Sequence, residues 1–173
     1  MTLDSLTGLL VEELRDVYDA EQQLIKALPK MSKAAFNEEV SEAFNLHTEQ
    51  TREHVARLER VFGRFREKPK GKPCDGMKGI IAEAEKLLAE EPKADPSILD
   101  AALIASAQRA EHYEIATYGA LHSYTQTAIS INPSRECDQG KQILYRKSTG
   151  KLLRHGLDRG SIPGRSSGRA KEW

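Results

Sequence analysis

Apolar residues recur along the first two thirds of the chain at steps of three and four, the spacing of one helical face. Between about residues 3 and 35, Leu10, Leu14, Val17, Leu24, Leu28 and Met31 form such a stripe, and Glu21 occupies the place where another apolar residue would fall. Asp4 or Ser5 can cap the start of this helix. Pro29 predicts a kink or local break near its end. Asn37 and Glu38 mark a turn. A second helix is predicted over about 38–66, with Phe44, His47, Thr51, Leu58 and Phe62 on its stripe and Val40, His54, Val55 and Val61 on or beside it. The Pro- and Gly-rich run KPKGKPCDG, 68–76, breaks the pattern. A shorter helix follows at about 77–91, carrying Ile80, Ile81, Ala84, Leu87 and Leu88, and EPKADP ends it. The last strong periodicity spans about 97–126. Leu99, Leu103, Ala107, Ala110, Glu114, Thr117 and Leu121 mark one stripe, and Ile104, Glu111, Ile115 and Tyr118 widen it. A helix apolar over so wide an arc belongs in the middle of a fold.

No strand-like alternation of convincing length and no repeat of 20–50 residues is visible. Long amphipathic helices with short breaks predict an all-α bundle. The organisation expected is a helical core over 1–127 and a separate segment over 128–173. In that segment ISINPSRECDQG lacks periodicity. QILYRKSTGKLLRHGLDRG holds at most one short helix, weakened by Gly150, Gly156 and Gly160 at about 1 kcal/mol each relative to Ala. GSIPGRSSGRAKEW is expected to be disordered.

Charge sharpens this division. Residues 1–127 hold 16 Lys and Arg against 22 Asp and Glu, a sum of −6, and residues 128–173 hold 10 against 4, a sum of +6. A nucleic-acid partner would have to bind the tail alone, and none is expected. With 173 residues, 39% apolar and 30% charged, the chain suits one soluble domain able to bury a core without disulfides. No apolar run approaches the roughly 18 residues that span a bilayer. The opening MTLDSLTGLLVEELRD lacks a basic leader and turns acidic at once, unlike a secretory signal. Cys74 and Cys137 do not make a disulfide framework. A cytoplasmic protein without membrane association is expected.

The polar residues on apolar stripes are the candidates for chemistry. Glu21 lies between Val17 and Leu24, where an uncompensated carboxylate would cost several kcal/mol or shift its pKa. Glu111 and Glu114 are three residues apart and can converge. His47 and His54 lie two turns apart on one face, with Thr51 between. Four-helix bundles that hold two metals draw one Glu from each of two helices and Glu-x-x-His from each of the others. Carboxylates suit hard or borderline cations, and imidazole suits iron and other transition metals. Plainer roles compete: Glu21 at the stripe edge paired with Arg or Lys, and His47 as a satisfied core or interface histidine. Glu49 falls about 200° from His47 around the helix and reads as a solvated charge. His112, His122 and His155 have no face argument behind them. The KPKGKP run lacks P-loop spacing, Cys74 has no Cys-x-x-Cys companion, and no Gly-x-Ser-x-Gly or His-Glu-x-x-His occurs.

The segments VEELRDVYDAEQQLIKALPKMSKAA, AFNLHTEQTREHVARLERVF and DAALIASAQRAEHYEIATYGAL together resemble the YciF-like ferritin-like proteins, which are stress-associated proteins of bacteria. The resemblance covers about residues 3–126. It implies four bundle helices with a shorter helix in the crossover, at 77–91 in this chain. It also implies a homodimer, kinship with rubrerythrin-like and ferritin-like bundles, and a dinuclear metal site. Glu21, Gln50, His54, Glu111 and Glu114 fall where its polar site residues are expected. The family's last helix carries a segment like EEEKATD. The nearest match here is LYRKSTGK, 144–151, with Tyr145, Arg146 and Gly150 in place of acidic residues. A degraded last bundle helix is therefore expected.

The resulting expectation is a ferritin-like stress protein holding di-iron or another divalent metal pair. Its ligands would be Glu21, Glu111, Glu114 and His54, with His47 a weaker ligand. Peroxide-dependent metal oxidation would be one such chemistry, with Tyr113 or Tyr118 as a redox-capable neighbour or simply core packing. The alternative is a metal-free dimeric bundle that acts through interactions. Whether the protein is an enzyme stays open at this point.

Overall fold

The computed structural model describes residues 5–90 and 93–131. Four helices make up the regular structure of these residues, and no strand occurs among them: α1 (Leu6–Ala34), α2 (Glu38–Arg64), α3 (Asp75–Glu90) and α4 (Pro96–Ile131). Each helix starts where a short polar side chain can take up orphaned backbone N–H groups. The Ser5 hydroxyl accepts from the Gly8 N–H at 3.0 Å. Asn37 Oδ1 accepts from Glu39 and Val40 at 2.8 and 3.4 Å. Asp95 Oδ1 accepts from Ser97 and Ile98 at 2.9 and 3.3 Å, with Pro96 at the first helical position. Helix α2 ends with the Arg66 N–H bonded to the Gly63 carbonyl and the Glu67 N–H to that of Phe62. This places Arg66 in the left-handed region at φ 57°, a position that favours glycine.

Two expectations need correction. Pro29 does not break α1, which runs on to Ala34. Pro29 itself is exposed, while Leu28, Met31 and Ser32 beside it are buried. Packing of that face outweighs the loss of one backbone bond. Helix α4 also outruns its expected end near Gln126 and reaches Ile131. The expectations for a degraded last helix and a disordered tail concern residues 132–173, outside the described residues.

Helix α1 packs against α2, α3 and α4, and α3 packs against α4. The α1–α2 pair is an antiparallel hairpin. The long connection after α2 carries α3 and returns the chain, so that α4 starts beside the start of α2. There the buried Asp100 carboxylate accepts from the Phe36 and Asn37 N–H groups, each at 2.8 Å. The returning loop lies close on α1. The Lys72 N–H bonds the Arg15 carbonyl at 3.2 Å. A Cβ at Gly71 would stand 3.0 Å from Asp19 Cβ and 3.3 Å from its Cα, so any side chain here would have to push α1 and the loop slightly apart. The arrangement is that of a ferritin-like bundle with a crossover helix.

The core divides in two. One cluster holds Leu24, Leu28, Met31, Phe44, Met77, Leu99 and Leu103, among others. The other holds Leu10, Leu14, Val17, Leu58, Val61, Phe62, Tyr118 and Leu121. Full burial of one such Leu or Phe contributes roughly 1.5–3 kcal/mol. Every residue assigned to the first stripe is buried, Glu21 included. In sequence along α1, α2 and α4, the polar residues of the stripes fall between those contributing to the two clusters.

Candidate metal centre

Five polar side chains from three helices meet in that interval. Glu21 comes from α1, His47 and His54 from α2, Glu111 and Glu114 from α4. Glu21 and Glu114 are fully buried, and His47 and His54 are 5% and 8% exposed. Glu111 keeps 12% of its side chain accessible. Positions 47, 54, 111 and 114 share faces because seven residues make two turns and three make just under one.

The ligand-type atoms form two groups. Those of Glu21, His54 and Glu114 lie within 4.8 Å of one another, as do those of His47, Glu111 and Glu114. Glu114 belongs to both. His47 Nε2 is 2.7 Å from Glu111 Oε1 and 3.7 Å from Glu114 Oε2. His54 Nδ1 is 3.5 Å from Glu21 Oε2. All five sequence candidates are thus brought together. Glu21 does not sit at the stripe edge: it is fully buried, and its Oε1 accepts the Tyr118 hydroxyl at 2.7 Å inside the fold. Glu49 is exposed and pairs with Arg52 on the outer face, as expected.

Tyr118 supports this group directly. Its ring stands edge-on to His54, with centroids 6.3 Å apart and planes at 60°. Burial, then the Glu21 carboxylate, pushes its phenol pKa well above the ordinary value, so the hydroxyl stays protonated and donates. Thr51, fully buried, lies one turn from each histidine. Thr51 Oγ1 and Gln50 Oε1 are buried and make no hydrogen bond among the described residues.

The donor set fits a divalent cation. Three carboxylates gather with two imidazoles in this buried layer, and any negative charge they keep there must be paired. Such a charge is costly without a counter-ion. Oxygen and imidazole donors without thiolate suit iron, manganese or zinc. These buried groups can therefore hold a metal ion.

A second polar cluster lies among α1, α4 and the crossover loop. The Tyr113 hydroxyl donates to Asp16 Oδ2 at 2.9 Å, so the Cys74 thiol, 3.0 Å from the phenol oxygen, is the donor of that contact. The Cys74 N–H and the Gln23 side-chain amide both donate to Asp19 Oδ2, at 2.8 and 2.7 Å. Burial pushes the Cys74 thiol pKa up. Burial and the Cys74 and Asp16 contacts push the Tyr113 phenol up further. Stripe reasoning misses this cluster because its residues flank the stripes. It also misses the Tyr118–Glu21 bond. The signal for that bond was the position of Tyr118, one turn beyond Glu114 on the same face.

With this geometry established, comparison with known proteins is specific. The model of the domain of unknown function DUF892 matches residues 5–139. Protein YciF of Escherichia coli K12 is 35% identical over 159 residues, covering 91% of this chain and 85% of that protein. The crystal structure of the E. coli stress protein YciF aligns with a TM-score of 0.76 at 32% identity, over 85% of this chain and 87% of that one. The solved structure of YcfI from Rhodopseudomonas palustris aligns with a TM-score of 0.71 at 36% identity, over 86% of this chain and 95% of that one. The chain therefore belongs to the DUF892 family, whose helical fold it shares with YciF.

Proposed function

We propose that this protein is a bacterial stress-associated protein whose α1–α2–α4 layer holds two divalent metal ions, iron foremost. The observation that carries the reading is the pair of ligand triads that share Glu114. Glu21 and His54 would serve one ion, His47 and Glu111 the other, and Glu114 both. When bound, an iron pair supplies one-electron redox chemistry in a site screened from water. The chain's own residues hold the charge balance: three carboxylates neutralise most of the charge of two divalent ions, and neutral imidazoles complete the donor set. Glu111, the most accessible of the five, marks the side from which an ion or small oxidant would enter. The likeness to the E. coli stress protein supports the physiological setting. We place the protein in the cytoplasm. No helix among the described residues is long and apolar enough to cross a membrane. A homodimer accords with the large apolar side chains left exposed at Phe36, Leu46 and Ile98.

Elemental analysis of the full chain purified without chelator, then reloaded with Fe(II), tests the reading. About two ions per chain is the expected result for a dinuclear bundle site. A ratio near zero after reloading would leave the metal-free interaction protein as the better account. Light scattering that shows a monomer at tens of micromolar would remove the dimer.

A further inference from the structure

We infer that Tyr118 is a positioning residue that confines Glu21 to one-oxygen ligation and so makes the two metal positions unequal. The inference rests on the dinuclear reading above and deepens it. Tyr118 touches two of the three side chains of one triad. Its hydroxyl donates to Glu21 Oε1 at 2.7 Å, and its ring packs edge-on to His54. The other oxygen of Glu21, Oε2, is the one near His54 Nδ1, at 3.5 Å. With Oε1 held by the phenol, Oε2 is the oxygen presented to an ion shared with His54 and Glu114. Both Tyr118 and Glu21 are buried, at 4% and 0% exposure, so water does not readily replace the phenol as a donor. The His47–Glu111–Glu114 triad includes a carboxylate with 12% of its side chain accessible. One position is therefore enclosed and held by a hydrogen-bonded carboxylate, while the other borders the accessible side.

Co(II) is the probe, because its visible bands strengthen as coordination number falls. Wild-type protein titrated with Co(II) should show two binding steps of different affinity and band intensity. In Tyr118→Phe the freed Oε1 lets Glu21 turn. One step should weaken by about 10- to 100-fold, as for other residues that orient metal ligands, and its bands should lose intensity while those of the other step persist. A purely structural role would lower the melting temperature without changing the spectrum of the loaded protein. If wild type takes up two Co(II) ions and Tyr118→Phe matches it in affinity and spectrum, the inference fails and the dinuclear reading stands. If wild type takes up no Co(II), both fail. Should Tyr118→Phe not fold, Zn(II) titration of wild type decides. A near-ultraviolet tyrosine difference signal that saturates with metal uptake supports the inference, and no signal overturns it.

Discussion

The same two helices build two tyrosine–carboxylate contacts, one buried and one half-buried, in different surroundings. In one, Tyr118 of α4 donates to Glu21 of α1 at 2.7 Å. In the other, Tyr113 of α4 donates to Asp16 of α1 at 2.9 Å. Around Asp16 and Asp19 the donors nearly match the acceptors: a phenol, a thiol, a side-chain amide and a backbone N–H. That cluster pins the crossover loop to the bundle, and its two carboxylates are only half-buried, so water can still reach them. Around Glu21 three carboxylates from α1 and α4 gather deeper in the fold, and both imidazoles come from α2. The first cluster sits where water can serve it, whereas the second offers two groups of ligand-type atoms that can hold a cation. A buried carboxylate is thus uninformative until its donors are counted.

The largest expected effect separates the two clusters. Glu114→Ala removes the residue common to both triads and should reduce metal uptake from about two ions per chain to none by elemental analysis. Asp16→Ala should do the reverse. It leaves metal uptake intact and destabilises by about 1 kcal/mol, because the half-buried Tyr113 hydroxyl loses its protein acceptor. If Asp16→Ala also abolished uptake, the two clusters would be one energetic unit and the contrast would collapse.

Within the loop cluster the next effect is steric. A Cβ at Gly76 would lie 2.8 Å from Tyr113 Cε2. Gly76→Ala should therefore cost about 1–3 kcal/mol by overpacking, read from urea unfolding. Tyr113→Phe should cost about 1 kcal/mol for the lost hydrogen bonds. Both should leave metal stoichiometry unchanged. A loss of bound metal in Gly76→Ala would mean that the loop cluster supports the metal centre through α4.

How far these features were legible in the sequence follows from periodicity. The stripe through Leu10, Val17, Glu21, Leu24 and Leu28 is strict, so it locates α1 and marks Glu21 as buried. Glu111 and Glu114 were legible because they interrupt an otherwise apolar face. Their convergence on His47 was not, since the distance between α2 and α4 is a tertiary quantity. Of the two outcomes expected at Pro29 the break does not occur, because the packing of Leu28 and Met31, which is not visible in sequence, keeps the helix running to Ala34. Asp100 gave no signal. It caps backbone groups more than sixty residues away, and no spacing rule reaches that far. Cys74 and Tyr113 were seen one at a time, but their contact depends on where the loop returns.

A smaller effect comes from pH. Burial raises the Cys74 thiol pKa in the folded chain, so the folded state keeps a proton that the unfolded chain releases above an ordinary value of about 8.5. The stability tied to this proton is fully present below that pH and is lost as pH rises toward the folded value. Cys74→Ser does not titrate there. Urea unfolding from pH 7 upward should show wild type losing stability faster than Cys74→Ser once the ordinary thiol value is passed. Parallel pH profiles would mean that burial does not hold the proton on Cys74 in the folded state.

The smallest expected effect tests the choice of face. Glu49 lies two residues from His47 and has ligand chemistry, but its side chain is 67% exposed and pairs with Arg52, itself 53% exposed. An exposed pair three residues apart on a helix is worth no more than about 0.5 kcal/mol, and salt screens it. Glu49→Ala should shift the unfolding midpoint within that limit and less at high salt, with metal content and affinity unchanged. A loss of metal would require α2 to present its outer face to the ion, which would reverse the assignment of His47 and His54 together. Their seven-residue spacing ties both histidines to one face, so this nearly silent substitution bears on two of the five proposed ligands at once.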